Sequence, residues 1–171
     1  TTAGGGSSGN GTVFRMKPNG DLKTLANFNG TNGSAPHGFM RASDGNFYGT
    51  TYLGGTSGNG TVFKMTPTGT LTALVQFNNT NGRRPLAPVI QASDGNFYGT
   101  TQSGGAFDFG TVFRMTPTGT LTTLVTFIIS GSGSNGSNPI GAVVQASDGL
   151  LYGTTSGGGT ANYGTVFKWA L

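Results

Sequence analysis

Apolar positions along this chain come in short bursts, divided by stretches of Gly, Thr, Ser and Asn. In one burst, Thr111 to Thr116, Val112 stands beside Phe113 and Met115. Successive side chains of an extended segment point to opposite faces, so this burst is apolar on both. That pattern predicts a strand in a sheet covered on both sides, not one with a wet face. Helices are poorly served, because Gly, Thr and Asn are weak helix formers. The stretch from Pro88 to Phe127 reads as four short strands: Pro88 to Ala92, Asn96 to Thr101, Thr111 to Thr116 and Leu121 to Phe127. Phe97 and Tyr98 fall on opposite faces of the second. Ser93-Asp94-Gly95 and Pro117-Thr118-Gly119 supply tight turns between antiparallel neighbours, and a Gly-rich loop, Ser103 to Gly110, joins the middle pair.

The same succession recurs. A GTVF phrase followed by a base begins at Gly11, Gly60, Gly110 and Gly164. A proline-glycine turn follows at Pro18, Pro67 and Pro117, then an ASDG phrase ending at Gly45, Gly95 and Gly149, then YGTT from Tyr48, Tyr98 and Tyr152. Phe14, Phe63, Phe113 and Phe167 lie 49, 50 and 54 positions apart. The longer last interval is absorbed by Ser130 to Asn138, a Gly/Ser/Asn loop, as expected of structural units whose strands stay intact. The units run 1–34 (a partial blade), 35–84, 85–138 and 139–171 (incomplete), within one repeat domain over 1–171. A repeated four-stranded meander covered on both faces predicts an all-β, β-propeller-like array of four-stranded antiparallel blades, about three units plus one redundant strand. A β-solenoid is the alternative, though its coils are usually shorter and hairpin turns of the Ser-Asp-Gly kind argue against it.

GTVFKMTPTGTLTALVQF and APVIQASDGNFYGTTQSGG, together with their copies, resemble the Gloeobacter/Verrucomicrobia-type tandem repeat of large bacterial secreted or surface-anchored proteins. More distantly, the chain is similar to the NHL and streptogramin-lyase propeller repeats. The resemblance implies a propeller-like fold and an exported protein. It implies no activity, since no catalytic residue comes with the repeat.

The two ends are copies of one another: Thr1 to Met16 aligns with Thr154 to Trp169 without gaps. Three blades do not close a ring, because propellers need about four. Two explanations stand side by side: the chain is a piece of a longer array, or it joins head to tail with further copies. In the second, the final strand from Gly164 to Leu171, with Val166, Phe167, Trp169 and Leu171, fits the blade of a neighbour. Trp169 replaces the methionine of Met16, Met65 and Met115, which also suits a bulkier cap on the last blade. A self-contained monomer is the least comfortable expectation.

Composition narrows the picture. Gly fills 33 positions and only 8% of residues are charged, against about 25% in an ordinary soluble domain. The net charge of +4 comes from scattered bases, with Arg83-Arg84 the one doublet, so a clustered nucleic-acid face is not expected. Without cysteine there are neither disulfides nor thiolate metal sites. No run approaches the roughly 18 apolar residues of a membrane helix. The opening Thr1-Thr2-Ala3-Gly4 suits a trimmed product of export.

Candidate chemistry is sparse. His37, the only histidine, lies where other units carry Ala87 and Gly141, with no evident orienting partner for base catalysis. Asp44, Asp94 and Asp148 recur once per unit, but Asp followed by Gly is turn chemistry. A calcium or carbohydrate role is the competing reading, and calcium would want several clustered acids. Asp108, between Phe107 and Phe109, is the less explained acid. Phe107, Phe109 and Tyr163 fall in the same connecting loop of different units, where they can stack on sugars or pack on the next blade. Six N-x-S/T sequons, at Asn10, Asn29, Asn32, Asn59, Asn78 and Asn135, lie in predicted loops. No metal or other cofactor is expected, and no phosphate loop, HExxH, CxxC or G-x-S-x-G occurs.

The resulting expectation is an extracellular or cell-surface structural protein, without catalysis, whose partner is itself in a filament, ring or adhesin shaft. A glycan- or protein-binding module using Phe107, Asp108, Phe109, Tyr163 and His37 is the alternative. A lyase-type propeller enzyme is the remaining one.

Overall fold

The computed structural model describes residues 1–129 and 135–171; the first half of the loop expected at Ser130 to Asn138 lies outside the described residues. Four antiparallel sheets follow one another along the chain. β1 (Thr12–Met16) and β2 (Leu22–Asn27) form a half-blade. β3 (Ser34–Arg41), β4 (Phe47–Leu53), β5 (Thr61–Met65) and β6 (Leu71–Gln76) make the first full blade. β7 (Ile90–Gln91), β8 (Phe97–Thr101), β9 (Thr111–Met115) and β10 (Leu121–Thr126) make the second. β11 (Val144–Gln145), β12 (Leu151–Thr155) and β13 (Thr165–Trp169) form a three-stranded last blade. The described residues contain no helix, and the strands of the second full blade fall within the four expected segments.

No blade has a core of its own. One buried cluster joins Val13 and Phe28 of the half-blade to Phe63 and Met65 of the first full blade. A second joins Tyr48, Val62 and Val75 to Phe97, Phe113 and Met115. A third joins Ala92 and Tyr98 to Val143 and Leu151. Each junction also repeats one edge-to-face ring pair, Phe28–Phe63, Phe77–Phe113 and Phe127–Phe167, with centroids 5.1 to 5.4 Å apart. Two-faced strands are therefore the direct cause of stacking, since every face must meet a neighbouring sheet.

Polar contacts set the register. Thr101 Oγ1 donates to the Ser103 carbonyl and accepts from the Thr111 N–H. Its hydroxyl lies 2.8 Å from that of Thr111, and the Thr2–Thr12, Thr51–Thr61 and Thr155–Thr165 pairs repeat this at 2.8 to 2.9 Å. Gly82 closes over the pair with φ at +120°; a Cβ there would lie 2.6 Å from the Thr101 side chain. Only glycine satisfies both conditions. At the opposite end, the side-chain Oε1 of Gln91 accepts from Ser43 N–H and that of Gln145 from Ser93 N–H, each at 2.9 Å, tying successive hairpins together.

Candidate functional site

The sheets have two ends of different chemistry. At one, Asp44 Oδ1 accepts from Asn46 N–H, while Oδ2 accepts from the Asn46 amide, Tyr48 Oη and Lys64 Nζ at 2.9 to 3.1 Å. Asp94 repeats this with Asn96 and Tyr98, and Asp148 with Leu150 N–H and Tyr152 Oη. Burial opposes ionisation of Asp44 and Asp94, but the hydrogen bonds prevail and hold both below the usual carboxylate range. Tyr98 is pushed up to about 12, first by burial and then by the Asp94 carboxylate. These aspartates are anchors: each ties its own turn to the tyrosine four residues on. Among the described residues, no group of three or more His, Cys, Asp or Glu side chains gathers as a metal site would need.

The other end carries the Gly-rich loops and the crossings between blades, and here the repeats diverge. The His37 ring meets the Tyr52 ring edge-on at 5.8 Å, and the Arg84 guanidinium lies 5.6 Å from the centre of the same tyrosine. Beside them, Arg83 Nη2 donates to Asp108 Oδ2 at 2.7 Å, and Arg83 Nε is buried without a hydrogen-bond partner. Arg84 is held in place by its N–H to the Asn59 carbonyl and its carbonyl to Gln102 N–H. Two guanidinium groups, an imidazole and a tyrosine face thus share the rim where the first and second full blades meet. Arg83 is already paired with Asp108, so the charge this rim leaves beside the Tyr52 ring is that of Arg84.

Of the expected binding residues, His37 and Asp108 belong to this rim. Asp108 has a local cause as well. It stands at φ +64°, where Gly58 and Asn162 sit in the flanking blades, and its Oδ1 accepts from Gly104 N–H. Asn162 makes the same bond to Gly158 N–H. Phe109 and Tyr163 occupy equivalent places, immediately before Gly110 and Gly164, whereas Phe107 is two residues earlier. Phe107 is 51% exposed and Tyr163, on the last blade, 93%. The assembly residues Val166, Phe167, Trp169 and Leu171 lie in or just after β13, paired along its length with β12 of the same chain. Sequence reading passed over Tyr52 and took Arg84 only as half of a basic doublet. Their signal was divergence from the repeat: Tyr52 stands where Gln102 and Ser156 do, and Arg84 where Ala35 and Asn138 do.

The sequons have a structural use. Asn29 and Asn32 accept each other's N–H, and Thr31 Oγ1 donates to Asn29 Oδ1; Asn78, Asn81 and Thr80 repeat the arrangement. Asn-x-Thr therefore follows from turn geometry.

Over residues 1–171, the chain matches the model of the Gloeobacter/Verrucomicrobia repeat. It belongs to that repeat family. Among solved structures, it is similar in fold to a protein provisionally assigned as a gluconolactonase. The TM-score is 0.56 at 13% identity, and the match covers 91% of this chain and 55% of the other. The repeat-family chain thus spans about half the length of that structure, and the likeness is one of fold, propeller-like. No curated protein sequence matches it.

Proposed function

We propose that this chain is a structural, non-catalytic repeat segment of an exported or cell-surface protein, whose outer blade faces join it end to end to further blades. One observation carries the reading. Val62, in the cluster shared with the next blade, and Val112 are fully buried, whereas Val166, at the same place in the last blade, is 77% exposed. Exposed apolar faces of this kind promote association. The export part rests on resemblance to repeats of exported bacterial proteins. The non-catalytic part draws on the acids, all five of which are tied in local contacts: Asp44, Asp94 and Asp148 to turns and tyrosines, Asp21 to Lys17 and Asn19, Asp108 to Arg83 and Gly104. Sedimentation velocity tests the assembly: the expected result is a species heavier than the 17.3 kDa chain, and a monomer at all concentrations sinks it. A lactone-hydrolysis assay is expected to give no turnover above buffer.

The rim of His37, Tyr52 and Arg84 favours a second reading, a binding module for acidic glycans. Glycan-array binding that disappears in Arg84→Ala and Tyr52→Ala supports it, and an array without hits removes it.

A further inference from the structure

The crossings between blades are alike in backbone but not in side chain. Ala35, Arg84 and Asn138 stand at one place in successive crossings, with φ of +51°, +57° and +53°. Each donates its N–H to a carbonyl of the preceding Gly-rich loop, that of Asn10, Asn59 and Phe109 in turn. The repeat therefore requires a left-handed residue here, a conformation in which asparagine is enriched and a long basic side chain has no local advantage.

At the Asn138 crossing the protein closes the place itself. Asn138 Nδ2 donates to the Gln102 carbonyl, and Ser156 Oγ, at the position of Tyr52, donates to the Asn138 carbonyl. At the Arg84 crossing the side chains stay open. Arg84 and His37 are both exposed, and the guanidinium lies against the Tyr52 ring at 5.6 Å. The ion pairs among the described residues join Lys17 to Asp21, Lys64 to Asp44 and Arg83 to Asp108, and none of them takes Arg84. Arg83 is withheld: its Nη2 is on Asp108 Oδ2, its Nε is buried, and Asp108 is fixed in turn by Gly104 N–H.

This charge count selects a ligand. A polysulfated chain is held by several bases together, whereas the rim offers one unpaired guanidinium with the Asp108 carboxylate nearby to repel further anions. One guanidinium matches one planar carboxylate through two parallel N–H···O bonds. Resting on the glycan-binding reading above, we infer that the rim takes a uronic acid of a sparsely charged polysaccharide, one carboxylate per site, and not a polysulfated chain. Arg84 holds the carboxylate. Tyr52 is a positioning residue that keeps the guanidinium in place from beneath, and the His37 ring, edge-on to Tyr52 at 5.8 Å, borders the sugar ring.

Isothermal titration calorimetry with three probes of similar length tests this: oligogalacturonate, its methyl ester and a heparin oligosaccharide. Galacturonate is expected to bind, and the ester and heparin to bind at least about tenfold more weakly. Arg84→Gln is expected to lose galacturonate by a similar factor and Arg84→Lys to recover only part of it, because an ammonium lacks the planar fork. Circular dichroism checks that each variant keeps its β-structure. Asp108→Asn releases Arg83, so heparin is expected to gain more than galacturonate does. If heparin binds the unchanged chain as tightly as galacturonate, the inference is wrong and an acidic-glycan module survives it. If the ester binds as well as the acid, or galacturonate binding is unchanged in Arg84→Gln, both are wrong. If none of the three binds, the inference fails, and a glycan array without hits takes the wider reading with it.

Discussion

The second full blade and the last blade are written in nearly the same letters, yet one is core and the other is half surface. Val112, Thr100 and Met115 are buried to within 1%. Their counterparts Val166 and Trp169 are 77% and 37% exposed, and Thr154 is exposed too. Strand pairing does not separate the two, since both pair in the same register with a YGTT strand. The difference is the following sheet, present for one and absent for the other. A blade of this repeat contributes faces, and stability arises where two faces meet, as in other arrays of stacked repeats.

The sharpest way to break the comparison is truncation of matched rings. Phe113→Ala is expected to cost about 3–5 kcal/mol, as a fully buried ring leaving a cavity, and Phe167→Ala clearly less, both read by urea denaturation. Next comes overpacking. A Cβ on Gly99 would stand 2.6 Å from Phe113 Cζ, and one on Gly153 would crowd Phe167 in the same way. Gly99→Ala should cost roughly 1–3 kcal/mol, while the half-buried Phe167 can swing outward and lessen the cost of Gly153→Ala.

A smaller effect is expected from pH. Tyr98 is raised from 10.0 to about 12 in the fold, so its contribution is complete below pH 10 and is lost as pH rises towards 12. Asp44 and Asp94 are held below their ordinary 3.8, so theirs is present above that value and lost on acidification beneath it. Melting temperature against pH should show a plateau between the two limbs, and Tyr98→Phe should flatten the alkaline one. Smallest is Asp108→Asn. The Arg83–Asp108 pair is partly exposed and worth about 0–1 kcal/mol, and asparagine already fills that left-handed position at Asn162. A thermal melt shifted by several degrees would show the rim pair to be structural after all.

Parts of this were readable in advance. Proline-glycine and Ser-Asp-Gly turns placed the hairpins, because those residues restrict backbone angles locally. The link from Asp94 to Tyr98 was visible as well, as a constant spacing of four, although it read only as a turn. The rim was not readable. Tyr52 lies in β4 and Arg84 on the crossing between β6 and β7, so they meet only because the chain passes from one blade to the next.

By itself, the sequence determined the strand pattern, the turns and the repeat, since these depend on side-chain alternation and on residues that control φ within a few positions. Tertiary structure alone decided which valine is core and which is surface, and which tyrosine has a ring beneath it. Burial is a property of two sheets in contact, and identical strands acquire opposite roles according to whether a neighbour is there.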